Sequence, residues 1–196
     1  MKKILIVLFL ALSFSEIPDR RVVAEWEPAL GTMIRWPLGI PSELVMELAS
    51  EDILYVLVEN INQQNQATNS FNNWGINFDN VVFINTDTYS HWTRDHGPQF
   101  IIGEDYWKVV NQEFNGYPEE SGCQVNSIFE YNTHFEGRPL FNDFRGWEED
   151  DDTNIDFANQ MNWDIQNLPL YLTGGNFMTD GYGMGFSTQL MVNENN

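Results

Sequence analysis

The sequence predicts an α/β protein with short strands and mixed strand pairing. Apolar runs of strand length alternate along the chain with stretches of helical spacing, and Gly, Pro and Asn residues separate them. Hydrophobic residues make up 42% and aromatic residues 14% of the 196 residues, a composition that supports a packed core. No linker divides the chain, so we expect a single domain or part of a larger one.

The first half of the chain alternates strands with helices. Residues 33–36 have strand character, and residues 42–49 place apolar side chains on one helical face. Residues 53–58 form a continuous apolar run of strand length, which predicts a strand buried on both faces. The Gln- and Asn-rich residues 62–73 predict a polar surface helix, and residues 81–84 predict another strand.

The second half begins with a predicted hairpin. Residues 99–102 and 107–110 predict two short strands on either side of a Gly-Glu-Asp turn. A long polar region follows, and residues 155–163 then predict a helix with one apolar face. Residues 170–172 predict the next strand.

The charge of the chain excludes two classes of partner. Acidic residues outnumber basic residues by 29 to 9, which gives a formal net charge of -20. Nucleic acid and anionic membrane surfaces would both repel such a chain. The same charge is compatible with a cationic substrate, although solubility alone also explains it.

The first residues have the layout of a secretory signal peptide. Lys2 and Lys3 precede an apolar run over residues 4–12, and small residues follow. The run is too short to span a bilayer, which needs about 20 residues. A buried first strand is the alternative. We therefore expect residues 1–15 to be a signal peptide, the mature protein to be secreted or periplasmic, and no membrane span in the mature form.

The cysteine and histidine residues offer no obvious catalytic or metal site. Cys123 is the single cysteine, and the acidic residues before it disfavour a reactive thiolate. His91, His96 and His134 lack the spacing of a zinc site, so we expect them on the surface or in loops. We predict no metal.

An acidic run over residues 148–156 alternates Asp and Asn as calcium loops do. Its sixth position is Ile155, where such a loop needs Gly, and its twelfth is Met161, where it needs Glu. Solvated acids at the start of a helix explain the run better.

Residues 91–100, HWTRDHGPQF, are the first candidate for a binding site. Trp92 supplies an aromatic wall, and Asp95 supplies two carboxylate oxygens in a loop between strands. A carboxylate accepts a guanidinium through two parallel hydrogen bonds, so this loop suits an arginine-like ligand. A structural pair between Arg94 and Asp95 explains the motif equally well.

Residues 173–188, TGGNFMTDGYGMGFST, are the second candidate. Gly174 and Gly175 permit a close approach of backbone to a ligand. Asp180 and Gly181 are the usual residues of a tight hairpin turn, and we expect a hairpin over 177–191 whose last strand is 185–192. The glycine spacing does not match a dinucleotide-binding loop.

Four stretches together resemble the bacterial peptidyl-arginine deiminase and agmatine deiminase family. They are residues 24–37, AEWEPALGTMIRWP; residues 92–98, WTRDHGP; residues 138–143, RPLFND; and residues 173–188. The second is similar to the family signature W-x-R-D-x-G-P. The last two are similar to the Porphyromonas-type branch.

The resemblance implies a pentein fold, a five-bladed ring of ββαβ units, which we expect to be incomplete over residues 24–196. It also implies a cofactor-free hydrolysis in which a thiolate attacks the guanidinium carbon and a histidine moves protons. Ammonia leaves, and water releases the ureido product. By motif position Trp92, Asp95 and Asp180 contact the guanidinium. The catalytic His and Cys are expected beyond Asn196, so we expect this chain alone to be inactive.

Three functions remain open from the sequence. The leading one is a secreted deiminase that converts arginine in peptides or proteins to citrulline. The second is an agmatine deiminase of putrescine synthesis, although that branch usually has Glu-Gly-Gly where this chain has Thr173-Gly174-Gly175. The third is a non-catalytic guanidinium-binding protein. Arg138 and Arg145 are the nearby candidates for binding a substrate carboxylate.

Overall fold

The computed structural model describes residues 19–114 and 149–195. Several sequence-based predictions lie outside these ranges. They concern the signal segment 1–15, Cys123, His134, the 138–143 motif, Arg138 and Arg145.

A parallel three-stranded sheet forms the first layer. Its strands, in the order β2-β3-β4, are β2 (Thr32–Arg35), β3 (Leu54–Val58) and β4 (Val81–Asn85). Helix α1 (Ser42–Glu51) connects β2 to β3, and α2 (Ile61–Trp74) connects β3 to β4. The predicted elements of this half are confirmed.

Local sequence signals explain the limits of α2. The side chain of Asn60 accepts hydrogen bonds from the backbone N–H groups of Asn62 and Gln63, which caps the first turn. The helix ends at Gly75, which has a φ of 74°. Glycine adopts this left-handed conformation without the penalty that a Cβ brings.

Strand β3 is the centre of the core. All of its residues are buried, as the continuous apolar run predicts. Val56 faces a cluster with Val45 of α1 and Phe71 of α2, whereas Leu57 faces a second cluster on the opposite side of the sheet. The strand therefore packs on both faces.

A second sheet of four strands lies across that opposite face. Its strands, in the order β1-β5-β6-β7, are β1 (Arg20–Val22), β5 (Gln99–Gly103), β6 (Tyr106–Glu113) and β7 (Ile165–Tyr171). Strands β5 and β6 form the predicted antiparallel hairpin, and β7 is parallel to β6.

Helix α4 (Thr153–Met161) precedes β7 and packs between the two sheets through Phe157 and Ala158. It begins and ends two residues earlier than predicted, because Asn162 takes a left-handed φ of 55° and closes the helix.

The last part of the chain corrects one prediction. Strands β8 (Phe177–Thr179) and β9 (Gly185–Ser187) form the expected hairpin, but β9 is short and helix α5 (Gln189–Glu194) follows it. The predicted strand over 185–192 is therefore wrong. Because β8 is only three residues long, it offers no pairing partner beyond Ser187, and the following residues form a helix instead.

None of the helices in the described ranges is both long enough and apolar enough to cross a membrane.

Candidate functional site

Residues 86–92, which we call the approach segment, carry the chain from β4 to helix α3 (Thr93–His96). The segment crosses the carboxyl ends of the parallel strands. The backbone N–H of Thr86 donates to the carbonyl of Val58 at 3.0 Å. The guanidinium of Arg35 donates to the side chain of Thr88 at 2.7 Å and to its carbonyl at 2.6 Å. The carboxyl edge of a parallel sheet is a common place for a binding site.

The first candidate motif forms a single helical turn rather than the expected loop. The N–H of Asp95 donates to the carbonyl of Trp92 at 2.8 Å, and the N–H of Gly97 donates to Thr93 at 2.9 Å. The hydroxyl of Thr93 also donates to the carbonyl of Met33 at 3.1 Å, which attaches the turn to β2. Asp95 is thus held by backbone hydrogen bonds on a short rigid element.

Trp92 lies at the start of this turn and is 39% exposed. Its ring centre is 4.7 Å from that of His91, with the two planes inclined by 34°. A partly exposed indole can still contact a ligand. Trp92 therefore stays a candidate for the aromatic wall beside α3.

The second candidate motif packs directly against the first. A Cβ added to Gly174 would lie 2.3 Å from the carbonyl oxygen of Arg94, and one added to Gly175 would lie 2.3 Å from the carboxylate Oδ1 of Asp95. Both distances are too short for any side chain. The two glycines do allow a close backbone approach, but it is to the turn that carries Asp95; the approach to a ligand stays a prediction.

We expect Gly174→Ala to lower the free energy of unfolding by about 1–3 kcal/mol, the usual range for overpacking. The added methyl group would meet a backbone oxygen of Arg94, which cannot move without distorting α3. Urea unfolding measures the effect. Gly175→Ala is the matched control, because the atom it meets is the end of a rotatable side chain; equal losses in both variants would contradict the contact.

Arg94 does not form its closest ion pair with Asp95. Its guanidinium donates to the carboxylate of Glu25 and, at 3.2 Å, to the carbonyl of Phe177. Partial burial lowers the pKa of Arg94. Arg94 thus joins α3 to the segment before β2 and to the hairpin β8–β9, and the Asp95 carboxylate is not engaged in that salt bridge.

The side chain of Asp180 stabilises the turn of the β8–β9 hairpin. Its Oδ1 accepts hydrogen bonds from the backbone N–H groups of Tyr182 at 2.8 Å and Met184 at 3.0 Å, and these bonds lower the pKa of Asp180. Strand β8 separates Asp180 from Gly175 by roughly 10 Å, since a strand rises about 3.3 Å per residue. The structure therefore brings Trp92 and Asp95 together but places Asp180 at the far end of the hairpin.

The turn of the β8–β9 hairpin packs on a neighbouring ion pair. Gly181 has a φ of 75°, and a Cβ there would lie 2.9 Å from Glu27 Oε1 and 3.1 Å from Arg21 Nη1. Arg21 and Glu27 form a bidentate pair with distances of 2.6 and 2.7 Å, which lowers the pKa of Glu27 to about 2. The tight turn at Asp180 thus packs on this ion pair.

His96 corrects the expectation that the histidines lie on the surface or in loops. Its side chain is fully buried, with Nδ1 3.2 Å from Thr153 Oγ1 and Nε2 3.8 Å from Asp150 Oδ1. Burial lowers the pKa of His96, although the Asp150 carboxylate opposes this effect. The reason is that α3 turns this side chain inward against α4.

The buried imidazole has a consequence for stability. Because the pKa of His96 is lowered in the folded state, below about pH 6.5 the unfolded chain takes up a proton that the folded chain resists. We expect the free energy of unfolding to fall with pH below that value, by at most about 1.4 kcal/mol per pH unit.

Urea unfolding of the wild type and of His96→Gln at pH 7.5, 6.5 and 5.5 checks this expectation. The stability difference between them should shrink as the pH falls, because only the wild type carries the penalty. A constant difference would contradict the burial of a neutral His96.

The acidic run over 148–156 is only partly solvated. Asp150 is fully buried, and Asp151 Oδ1 accepts a hydrogen bond from the N–H of Phe114 at 2.6 Å. The expectation of solvated acids is therefore wrong for Asp150, because its carboxylate caps backbone N–H groups of the approach segment. Within residues 19–114 and 149–195, no three His, Cys, Asp or Glu side chains are grouped to hold a metal ion.

An apolar cavity of about 300 Å³ lies between the two sheets. Arg94 and Thr93 line one side of it, but Trp92, Asp95 and Asp180 do not line it. Its walls are largely aromatic and include Tyr55, Phe100, Trp107, Phe157, Trp163 and Phe177. The cavity therefore adjoins the turn that carries Asp95 through Thr93 and Arg94, but Asp95 itself does not line it.

The sequence analysis missed Arg35 and Asp150. Arg35 holds Thr88 and pairs with Glu59 at 2.6 Å, and Asp150 holds the next part of the approach segment. Both act on backbone groups far away along the chain, so no local pattern indicates them. The turn thus presents a carboxylate on Asp95 and an aromatic face on Trp92, two groups that cations favour, and Gly175 packs against that carboxylate.

Comparison with known proteins identifies the family and the fold of the chain. The family model of the Porphyromonas-type peptidyl-arginine deiminases matches residues 21–196. Among solved structures, an agmatine deiminase from C. jejuni superposes with a TM-score of 0.60 at 17% identity, covering 90% of this chain and 48% of that one. An agmatine deiminase from Enterococcus faecalis gives a TM-score of 0.61 at 20% identity, covering 88% and 44%.

A protein from Porphyromonas gingivalis, assigned as an arginine deiminase, gives a TM-score of 0.57 at 15% identity, covering 87% of this chain and 47% of that one. These structures establish the pentein fold, and this chain spans about half the length of each. The family match extends over nearly the whole chain and includes both motifs that meet at Asp95. The chain belongs to the Porphyromonas-type peptidyl-arginine deiminase family.

Proposed function

We propose that this chain forms the guanidinium-binding part of a deiminase that converts arginine in peptides to citrulline. The observation that carries the proposal is the contact between Gly175 and the carboxylate of Asp95. It joins the W-x-R-D-x-G-P and T-G-G-N motifs of the matched family into one site. Family membership supports the proposed reaction, and the contact between the two motifs supports the proposed place of substrate binding.

Asp95 is the substrate-binding residue of the proposal. A carboxylate accepts two parallel hydrogen bonds from a guanidinium, and the planar cation also stacks on an aromatic ring. Trp92 begins the same helical turn and supplies that ring. Because Arg94 is engaged by Glu25 and by the carbonyl of Phe177, it does not occupy the place of the substrate. The net charge of -20 raises the local concentration of a cationic substrate.

The bond-making step needs a nucleophile and a proton carrier. In the proposed reaction a thiolate adds to the guanidinium carbon, ammonia leaves with a proton from a histidine, and water then releases the ureido product. We assign neither role to His96, which is buried against α4. No His follows His134 and no Cys follows Cys123 in the sequence. The proposal therefore gives the binding step to the described residues and assigns the roles of nucleophile and proton carrier to none of them.

Agmatine is the second candidate substrate. The solved structures from C. jejuni and Enterococcus faecalis that resemble this chain are agmatine deiminases. Agmatine presents the same guanidinium group, so Asp95 and Trp92 would bind it by the same contacts. The two substrates differ only beyond the guanidinium.

The test compares two forms of the protein without residues 1–15. One is this chain, and the other is the chain extended by its downstream coding sequence. Formation of the ureido product is measured from an arginine-containing peptide and from agmatine. We expect turnover in the extended form alone, faster with the peptide. Turnover by this chain alone would refute the division of roles, and preference for agmatine would select the second candidate.

We also propose that the protein is exported. Lys2, Lys3 and the apolar run over 4–12 support this, because they have the layout of a secretory signal peptide. Expression with the native N-terminus in a bacterial host, followed by mass measurement of the exported protein, tests it. A mature N-terminus near residue 16 is expected, whereas retention of Met1 in the cytoplasm would contradict export.

A further inference from the structure

Asp150 is a fully buried carboxylate that faces the approach segment. Its Oδ1 accepts hydrogen bonds from the backbone N–H of Tyr89 at 2.8 Å and from that of Ser90 at 3.1 Å. Its Oδ2 lies 3.2 Å from the N–H of Ser90. A buried carboxylate is unfavourable unless hydrogen bonds compensate for the lost hydration, and here backbone groups provide them.

These hydrogen bonds continue towards the binding site. The hydroxyl oxygen of Ser90 accepts a bond from the backbone N–H of Trp92 at 3.4 Å. The carbonyl of Trp92 in turn accepts the N–H of Asp95 at 2.8 Å. A continuous series of bonds therefore runs from Asp150 through Ser90 and Trp92 to the backbone of Asp95.

The same carboxylate also lies near the other end of α3. His96, the last residue of that helix, has its Nε2 3.8 Å from Asp150 Oδ1 and its Nδ1 3.2 Å from Thr153 Oγ1. Asp150 and Thr153 both lie next to or in α4, which packs on β6. The turn that carries Asp95 is thus held at both ends by the same buried region, which contains Asp150 and Thr153.

We propose that Asp150 is a positioning residue for the guanidinium site: by fixing Tyr89 and Ser90, it orients Trp92 and Asp95. The proposal rests on the proposed function in one respect, namely that Asp95 binds the guanidinium. Asp150 itself is fully buried and touches no substrate. Its contribution is to hold the approach segment in the conformation that the ligand requires, so that little ordering is left to binding.

The test uses three variants of the full chain. Asp150→Ala removes the acceptor oxygens. Asp150→Asn keeps one oxygen in the place of Oδ1, which by itself accepts both N–H groups. Asp152→Asn is the matched control, because it removes the same charge from an exposed neighbouring residue that makes no side-chain capping bond.

Two quantities are measured for each variant. The first is hydrogen exchange at the Tyr89 and Ser90 amides, with the Val56 amide of β3 as the internal reference for global stability. The second is the affinity for arginine amide. In Asp150→Ala we expect exchange at Tyr89 and Ser90 to accelerate about tenfold or more, and the affinity to fall about tenfold, because hydrogen bonds to charged groups are worth at least that factor. Val56 should remain protected.

The conservative variant separates positioning from general destabilisation. Asp150→Asn should restore most of the amide protection and most of the affinity, and Asp152→Asn should match the wild type. If Asp150→Ala leaves the Tyr89 and Ser90 amides protected, or exposes them without weakening ligand binding, the proposal is overturned. If Asp150→Ala does not fold, Asp150→Asn decides: because Oδ2 lies near the N–H of Ser90 alone, exchange should accelerate at Ser90 more than at Tyr89, and unchanged exchange at Ser90 would overturn the proposal.

A different result would contradict the proposed function. If the wild type binds neither arginine amide nor agmatine, Asp95 is not a guanidinium site and the role of Asp150 in substrate binding falls with it. The exchange rates of Tyr89 and Ser90 would still report whether Asp150 holds the approach segment. The two failures are therefore distinguishable in one set of samples.

Discussion

Replacing Asp95 by asparagine should weaken the binding of arginine amide and of agmatine by about 100-fold. The substitution removes the negative charge and one acceptor oxygen, so the two charge-assisted hydrogen bonds to the guanidinium are lost or made neutral. Such bonds are worth about 1.5–3 kcal/mol each, and a loss of about 3 kcal/mol corresponds to roughly 100-fold in affinity. Isothermal titration calorimetry of the purified chain measures the effect.

The control for this variant is Asp105→Asn. Asp105 lies in the exposed turn between β5 and β6, so its substitution changes the net charge equally but leaves the site intact. We expect its affinity to remain within about twofold of the wild type, since distant surface charges are screened. Equal losses in the two variants would mean that the protein attracts cations only through its overall charge.

Gly175→Ala should weaken guanidinium binding by about tenfold with little loss of stability. A methyl group at this position would meet Asp95 Oδ1, which is the end of a rotatable side chain. The carboxylate can move aside, so the fold tolerates the change, but a displacement of about 1 Å removes the alignment that a bidentate contact needs. Calorimetry of ligand binding and urea unfolding of the same sample measure the two effects.

The comparison with Gly174→Ala makes this expectation specific. That neighbouring substitution meets a backbone oxygen and should lower stability, whereas Gly175→Ala should lower affinity. A Gly175→Ala variant that binds as tightly as the wild type would show that the two motifs do not share one site.

Local sequence signals predicted most of the secondary structure. The buried apolar run became β3, the Gly-Glu-Asp turn became the β5–β6 hairpin, and the Gln- and Asn-rich stretch became α2. Each of these elements depends on residues close together in sequence, which is why periodicity and turn chemistry were sufficient.

The part of the site that was missed depends on distant residues. Asp150 bonds to Tyr89 and Ser90, which are some 60 positions away, and nothing in the run of acids distinguishes this carboxylate from its solvated neighbours. His96 is buried because Phe114, Asp150 and Thr153, all distant in sequence, lie against its ring. Tertiary packing, not local pattern, determines both environments.

For Asp180, the local sequence and the family resemblance predicted different roles. The dipeptide Asp180-Gly181 predicted a tight turn, while the family resemblance implied contact with the guanidinium. The structure uses one oxygen of Asp180 for the turn, and the next residue, Gly181, packs on the Arg21–Glu27 pair. The hairpin prediction is confirmed, and the substrate contact stays a prediction.

The most direct test of the account is to map the binding of arginine amide on the ¹⁵N-labelled chain by nuclear magnetic resonance. The account predicts saturable shifts at the Trp92 indole and at the amides of Asp95, Gly174 and Gly175, and the loss of these shifts in Asp95→Asn. Shifts confined to Trp107 and Trp163, which line the apolar cavity, or shifts that persist unchanged in Asp95→Asn, would contradict it.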